Sequence, residues 1–142
     1  MTAERAFEIT HIVSFEESNL VGNVYYVNYL RWQGRCREMF LKQHCPEILD
    51  DLRSNLALFT TRCSCQYFNE LRPFDEVVIR MRLGEIVQNR VTMLFQYFRR
   101  SAEGEELVAQ GEQQIACMRR EGDRNVVTPV PRAMREALEP FA

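Results

Sequence analysis

The chain has 142 residues, 46% hydrophobic and 27% charged, with a formal net charge of −2. These are values of one folded domain over residues 1–142; they exclude a disordered chain and the broadly basic surface that nucleic-acid binding needs. No apolar run approaches the roughly 20 residues of a membrane span, and the start of the chain lacks the apolar core of a secretion signal, so the expected location is the cytoplasm, away from membranes.

Phe7 to Phe15 alternates with period two at Phe7, Ile9, His11, Val13 and Phe15, which predicts a strand with one buried face. A polar bend follows at Glu16-Glu17-Ser18-Asn19, and Gly22 then permits an unusual backbone angle. From Val27 the period becomes helical, with Leu30, Gln33/Gly34, Arg37 and Phe40/Leu41 in one stripe beside Tyr26, Tyr29, Trp32 and Cys36, until Pro46 ends it. Gly34 inside this helix costs about 1 kcal/mol relative to alanine, which predicts a neighbour packed close against it. Residues 47–54 read as a loop or short helical turn. Four strand-like stretches follow, at 56–69, 75–87, 90–101 and 106–119, with short linkers that predict an antiparallel meander. Pro129 and Pro131 lead into a short helix over 132–138.

The five cysteines, an odd number without a secretion signal, argue against a disulfide framework. Cys63 and Cys65 share a strand face and read as small core residues, and neither they nor His11 and His44 stand at metal-ligand spacing. No metal and no cofactor is expected. The order strand, long helix, four strands, short helix gives an α+β fold in which one antiparallel sheet of five strands wraps and buries one long helix. Large residues on both alternations of the fourth strand, Met93, Phe95 and Tyr97 against Leu94 and Phe98, predict strands buried on both sides and a homodimer by sheet extension, or a dimer of dimers.

The run from Asn19 to Trp32, with Gly22 and Tyr26-Val27-Asn28-Tyr29-Leu30-Arg31-Trp32, resembles the signature of hot-dog-fold thioesterases of the 4-hydroxybenzoyl-CoA thioesterase type. That family has a catalytic Asp where this sequence has Asn19, and other branches keep an acid in the helix where it has Gly34. The combination Asn19, Tyr29 and Arg37 is similar to the thioesterases that accompany iterative enediyne polyketide synthases. The resemblance implies a hot-dog fold that releases a polyene β-ketoacyl chain from an acyl carrier protein domain, with decarboxylation following. It implies Asn19, Arg37, Tyr29 and the backbone N–H of Tyr26 as catalytic groups, and Gly22 as part of the substrate site.

Asn19 cannot be a nucleophile or base, but it can hold a water or bond an oxyanion. Arg37 lies roughly 15 Å along the helix from Val27 and reaches a site at the helix start only from a second copy or by the chain bending back. Thr60, in the alternating stretch Leu56 to Thr61, is a candidate wall of an acyl tunnel. The hairpin Val87-Gln88-Asn89-Arg90 carries one cation where coenzyme A enzymes of the family have adjacent ones, which favours a carrier-protein thioester. Two other readings stay open: a general acyl-CoA thioesterase using Glu17 or Glu38, and a non-catalytic acyl-binding module. By residue type alone, Asn19 is a turn residue, Arg37 with Glu38 a solvated helix face, and Tyr25, Tyr26, Tyr29 and Trp32 core or interface.

Overall fold

The alternation that begins at Phe7 makes a strand, β1 (Phe7–Ile12), with Phe7 buried, Ile9 and His11 half-buried, and Glu8, Thr10 and Ile12 outward. A 3-10 turn over Phe15–Glu17 then swings Phe15 into solvent, so the inward alternation ends at Val13. The computed structural model describes residues 5–142, and continues with α1 (Val27–His44), α2 (Pro46–Leu52), β2 (Leu56–Tyr67), β3 (Glu76–Val87), β4 (Arg90–Ser101), β5 (Gly104–Glu121), β6 (Arg124–Val127) and α3 (Arg132–Leu138). Pro46 does end α1, and it also opens α2, since its fixed φ suits the first turn of a helix.

The sheet order is β1-β3-β4-β5-β2, all neighbours antiparallel, with the short β6 added to β5. The expected meander therefore holds for β3, β4 and β5 but not for β2, which pairs β5 at the far edge rather than β3. Crossing from β2 back to β3 covers three strand spacings, roughly 14 Å, and the eight residues 68–75 span that easily.

The curled sheet closes on α1 through Val77, Ile79 and Met81 of β3, Val91, Met93, Phe95 and Tyr97 of β4, and Ile115 and Cys117 of β5. From α1, Tyr29, Trp32, Gln33, Cys36, Phe40 and Leu41 are buried. The helix is not buried all round: Arg31, Arg35, Glu38 and Lys42 form an exposed face. Nor are the strands buried on both sides within one chain. On β4, Met93, Phe95 and Tyr97 are covered while Leu94 is 39% exposed, and Phe98 lies under the Arg80 guanidinium at 4.7 Å.

Close approach of helix to sheet occurs, but at Gly111 of β5 rather than at Gly34. A Cβ on Gly111 would sit 2.2 Å from the Ser64 carbonyl oxygen and 2.6 Å from Gln33 Nε2, which donates to that same oxygen at 2.9 Å. Around Gly34 nothing lies within 4 Å of the Cβ position. Cys36, Cys45 and Cys117 are buried core residues; of the pair expected in the core, Cys65 packs against it but Cys63 is exposed.

Candidate active site

The chain between β1 and α1 is held in a small closed loop. Asn19 N–H donates to the Asn23 carbonyl at 2.9 Å, Gly22 N–H to the Asn19 carbonyl at 3.0 Å, and Val21 N–H to Asn19 Oδ1 at 3.0 Å. Gly22 takes φ +85°, a left-handed conformation that favours glycine, so its place in the motif is a backbone requirement of this loop. Asn19 is thus a turn residue through its carbonyl oxygen. Its Nδ2 is exposed and has no acceptor among the described residues.

Tyr26 precedes the first turn of α1, where backbone N–H groups lack helical acceptors and the helix end carries a partial positive charge. Its N–H finds no acceptor among the described residues, whereas its carbonyl takes Tyr67 Oη at 3.1 Å. A free donor of this kind can hold a developing oxyanion.

Tyr29 is buried among rings, with Tyr67 at 4.8 Å edge-on, Trp32 at 5.2 Å and Tyr97 at 5.4 Å. Burial first, then the neighbouring Cys65 and Tyr67, pushes its phenol up to about 12, so it stays protonated at any ordinary pH. The Tyr97 hydroxyl donates to the Tyr29 carbonyl at 2.7 Å and fixes this part of α1 to β4.

Arg37 departs from the solvated face that its sequence context suggested. It is half-buried between α1, β2 and β5, and its Nη1 donates to Gln113 Oε1 at 2.8 Å and to Thr60 Oγ1 at 3.4 Å. Both partners are neutral, and it makes no ion pair among the described residues. Burial lowers its affinity for the proton, offset in part by Glu38, yet a guanidinium stays charged at neutral pH. Thr60 sits beside a bulge in β2, and it is an exposed residue. An apolar crevice adjoins Arg37, lined by Leu41, Met93, Ile115, Met134 and Leu138, and is nearly closed at about 10 Å³.

The open cleft, about 930 Å³, lies elsewhere along α1, against β1, and Gly34 forms part of its wall because no side chain fills it. It holds His11, Glu17, Trp32, Arg31, Arg35 and Glu38. Here Glu17 accepts from Ser14 N–H at 2.8 Å and from Trp32 Nε1 at 2.8 Å, with His11 Nε2 at 2.7 Å. Burial raises its proton affinity, but the hydrogen bonds from Ser14, His11 and Trp32 together with the His11 charge outweigh it and leave the carboxyl below the usual range.

The structure therefore brings Asn19, Gly22 and Tyr26 to the start of α1 and brings Arg37 together with Thr60, but it does not join the two groups within one chain. Gln113 is the polar anchor that sequence reasoning missed. Its signal was present, a polar residue on the inward alternation that also carries Ile115 and Cys117.

A curled antiparallel sheet around one long helix, with unspent donors where that helix begins, is the build of a hot-dog thioesterase. The family model of the thioesterase-like superfamily matches residues 13–138, and the chain belongs to that family of thioester-hydrolysing enzymes. Among solved structures, a dynemicin thioesterase, whose crystal structures are described as revealing induced-fit and allosteric effects upon polyene binding, is 43% identical with a TM-score of 0.93, covering 97% of this chain and 98% of that one. A 4-hydroxybenzoyl-CoA thioesterase from Pseudomonas sp. strain CBS-3 (19% identity, TM-score 0.79, 96% and 99% covered) shares the fold. So does a 1,4-dihydroxy-2-naphthoyl-CoA thioesterase from Synechocystis (17% identity, TM-score 0.81, 94% and 96% covered). Among curated proteins a sequence search returns no significant match.

Proposed function

We propose that this thioesterase releases a polyene β-ketoacyl chain from the acyl carrier protein domain of an iterative enediyne polyketide synthase in the cytoplasm, without a catalytic carboxylate. The observation that carries the reading is Arg37, a half-buried cation whose hydrogen bonds go to neutral Gln113 and Thr60 and leave its other donors unspent. The 43% identity to the dynemicin thioesterase supports the substrate class.

In the reaction, the thioester carbonyl lies at the start of α1. A water held by the Asn19 amide attacks the carbonyl carbon, and the oxygen takes the electron pair as an oxyanion bonded by the Tyr26 N–H. The C–S bond then breaks, and the carrier thiolate leaves and receives the proton of the water. The β-keto acid next gives up its carboxyl proton to water and loses carbon dioxide: its C–C bond breaks, the electron pair becomes an enolate facing Arg37, and return of a proton from water to that carbon gives the ketone. Tyr29, protonated throughout, serves by packing and by orienting the first turns of the helix. Water activated only by position makes this a slow catalyst, acceptable for a single-turnover role beside a synthase.

Arg37 reaches the start of α1 of a second copy in this reading. The twelve-residue β2 ends the sheet with one edge unpaired among the described residues and exposes Phe59 and Tyr67, which suits pairing of two copies into a homodimer, and of dimers into a tetramer. The polyene tail enters the apolar crevice beside Arg37, which must widen to admit it.

Incubating the protein with polyene-loaded synthase tests this. Release well above the spontaneous rate, lost in Arg37→Ala, is expected. Rapid turnover of short or aromatic CoA esters that Glu17→Gln or Glu38→Gln abolishes would establish an ordinary acyl-CoA thioesterase instead. Tight acyl-pantetheine binding with no hydrolysis would establish a binding module.

A further inference from the structure

The two groups that the proposed chemistry uses at the start of α1, the Asn19 amide and the Tyr26 N–H, are seven residues apart in sequence, and their relative position must be set by something. Both flank the attachments of one residue. The Glu17 carbonyl accepts the Tyr25 N–H at 2.8 Å, one residue before Tyr26, and Asn28 Nδ2 at 2.8 Å, from the first turn of α1. Its carboxylate accepts Trp32 Nε1–H at 2.8 Å from the second turn of the helix. The same carboxylate accepts the Ser14 N–H at 2.8 Å and Ser14 Oγ at 3.1 Å, and pairs with His11 of β1 at 2.7 Å. Asn19 begins its closed loop two residues further on.

We propose that Glu17 is a positioning residue of this thioesterase: it clamps the end of β1, the entry to α1 and the Asn19 loop into one unit, so that the Asn19 amide and the Tyr26 N–H address the same carbonyl. The inference rests on the reading that those two groups act on the thioester. Glu17 itself does not act on it. Oε1 is occupied by Ser14 and His11 and Oε2 by Trp32, so the lone pairs a general base needs are already engaged. The other charged groups at this cleft, Glu16, Arg31, Arg35 and Glu38, make no hydrogen bond or ion pair with the carboxylate and leave the clamp to His11, Ser14 and Trp32.

Glu17→Gln tests the clamp, because an amide of the same shape presents a donor to Ser14 N–H or to Trp32 Nε1–H and loses one anchor while keeping the volume. Trp32→Phe, which deletes only the second anchor, is the companion variant in case the first folds poorly. Three readouts are taken on the whole protein: hydrogen exchange of the amides from 18 to 26, emission of Trp32, the one tryptophan of the chain, and steady-state release kinetics. The clamp predicts faster exchange confined to 18–26, a shifted Trp32 emission, and kcat lowered roughly tenfold with KM nearly unchanged. It also predicts that Asn19→Ala, costly in the native background, adds only a few-fold loss on top of Glu17→Gln. Native exchange over 18–26 in both variants, or an undiminished Asn19→Ala effect in the Glu17→Gln background, would overturn it. A kcat loss with native exchange would make Glu17 a base, which also overturns it. If Asn19→Ala alone leaves release unchanged, the reading of Asn19 fails, and exchange over 18–26 still decides the clamp separately.

Discussion

Two polar regions adjoin the same helix, and they differ in how their hydrogen-bonding capacity is used. Against β1, the groups around Glu17 spend themselves on one another: carboxylate, imidazole, indole and serine close a network. Against β2 and β5, Arg37 carries a full charge into a half-buried place and meets only the neutral oxygens of Gln113 and Thr60. A spent network is architecture, and an unspent cation is what a site needs if charge is to develop on a substrate. The larger cleft lies on the spent side, so cleft volume points away from the group with chemical capacity left over.

The sharpest way to break this contrast is Arg37→Ala. Removing the unspent cation should lower release of polyene product by about 100-fold, the scale of losing one preorganised electrostatic contact, while melting temperature changes little. A variant within a few-fold of native activity would make Arg37 an ordinary buried arginine. Comparable in size, but read in stability, is Gly111→Ala, which forces a methyl against the Ser64 carbonyl and Gln33 and should cost about 3 kcal/mol in chemical denaturation. Gly34→Ala, with open space at its Cβ, should be neutral or slightly stabilising in the same experiment.

Gln113→Leu sharpens the contrast from the other direction. It removes the anchor but keeps the cation, so release should fall roughly tenfold, less than for Arg37→Ala, as measured by product formation. A small effect belongs to the pH dependence of stability. Glu17 has a folded-state pKa lowered from 4.5, so the unfolded chain binds its proton more readily; its contribution is present above about pH 4.5 and is lost as pH falls through the lower folded value. Denaturation at pH 7 and pH 4 should therefore show a smaller loss between the two in Glu17→Gln than in the native chain.

Much of this was legible in the chain itself. The start of α1 at Val27 and the bounds of α3 follow from helical period and proline punctuation, and β2 to β5 begin and end within a few residues of their alternating stretches. Strand order was not legible, because β2 pairs according to how the sheet curls around α1, a global property that short linkers do not encode. Gly34 misled for a related reason: a glycine in a helix reports either close approach or open space, and only the three-dimensional neighbours distinguish them. The motif residues Asn19, Gly22 and Tyr26 were visible by resemblance. Gln113 was visible only as a polar residue on an apolar face, and the Glu17 network joins residues up to 21 apart whose spacing matches no short motif.

The account stands on cleavage of a thioester by an amide, a guanidinium and a helix end. Its most direct test is a crystal structure of the assembled protein holding a polyene β-ketoacyl pantetheine in which the ester sulfur is replaced by a methylene. The account predicts the carbonyl oxygen bonded to the Tyr26 N–H, the Asn19 amide beside the carbonyl carbon, and the Arg37 guanidinium of another copy facing the β-keto group. An Asp or Glu carboxylate directed at that carbon, or Arg37 remote from the acyl chain in every copy, would contradict it.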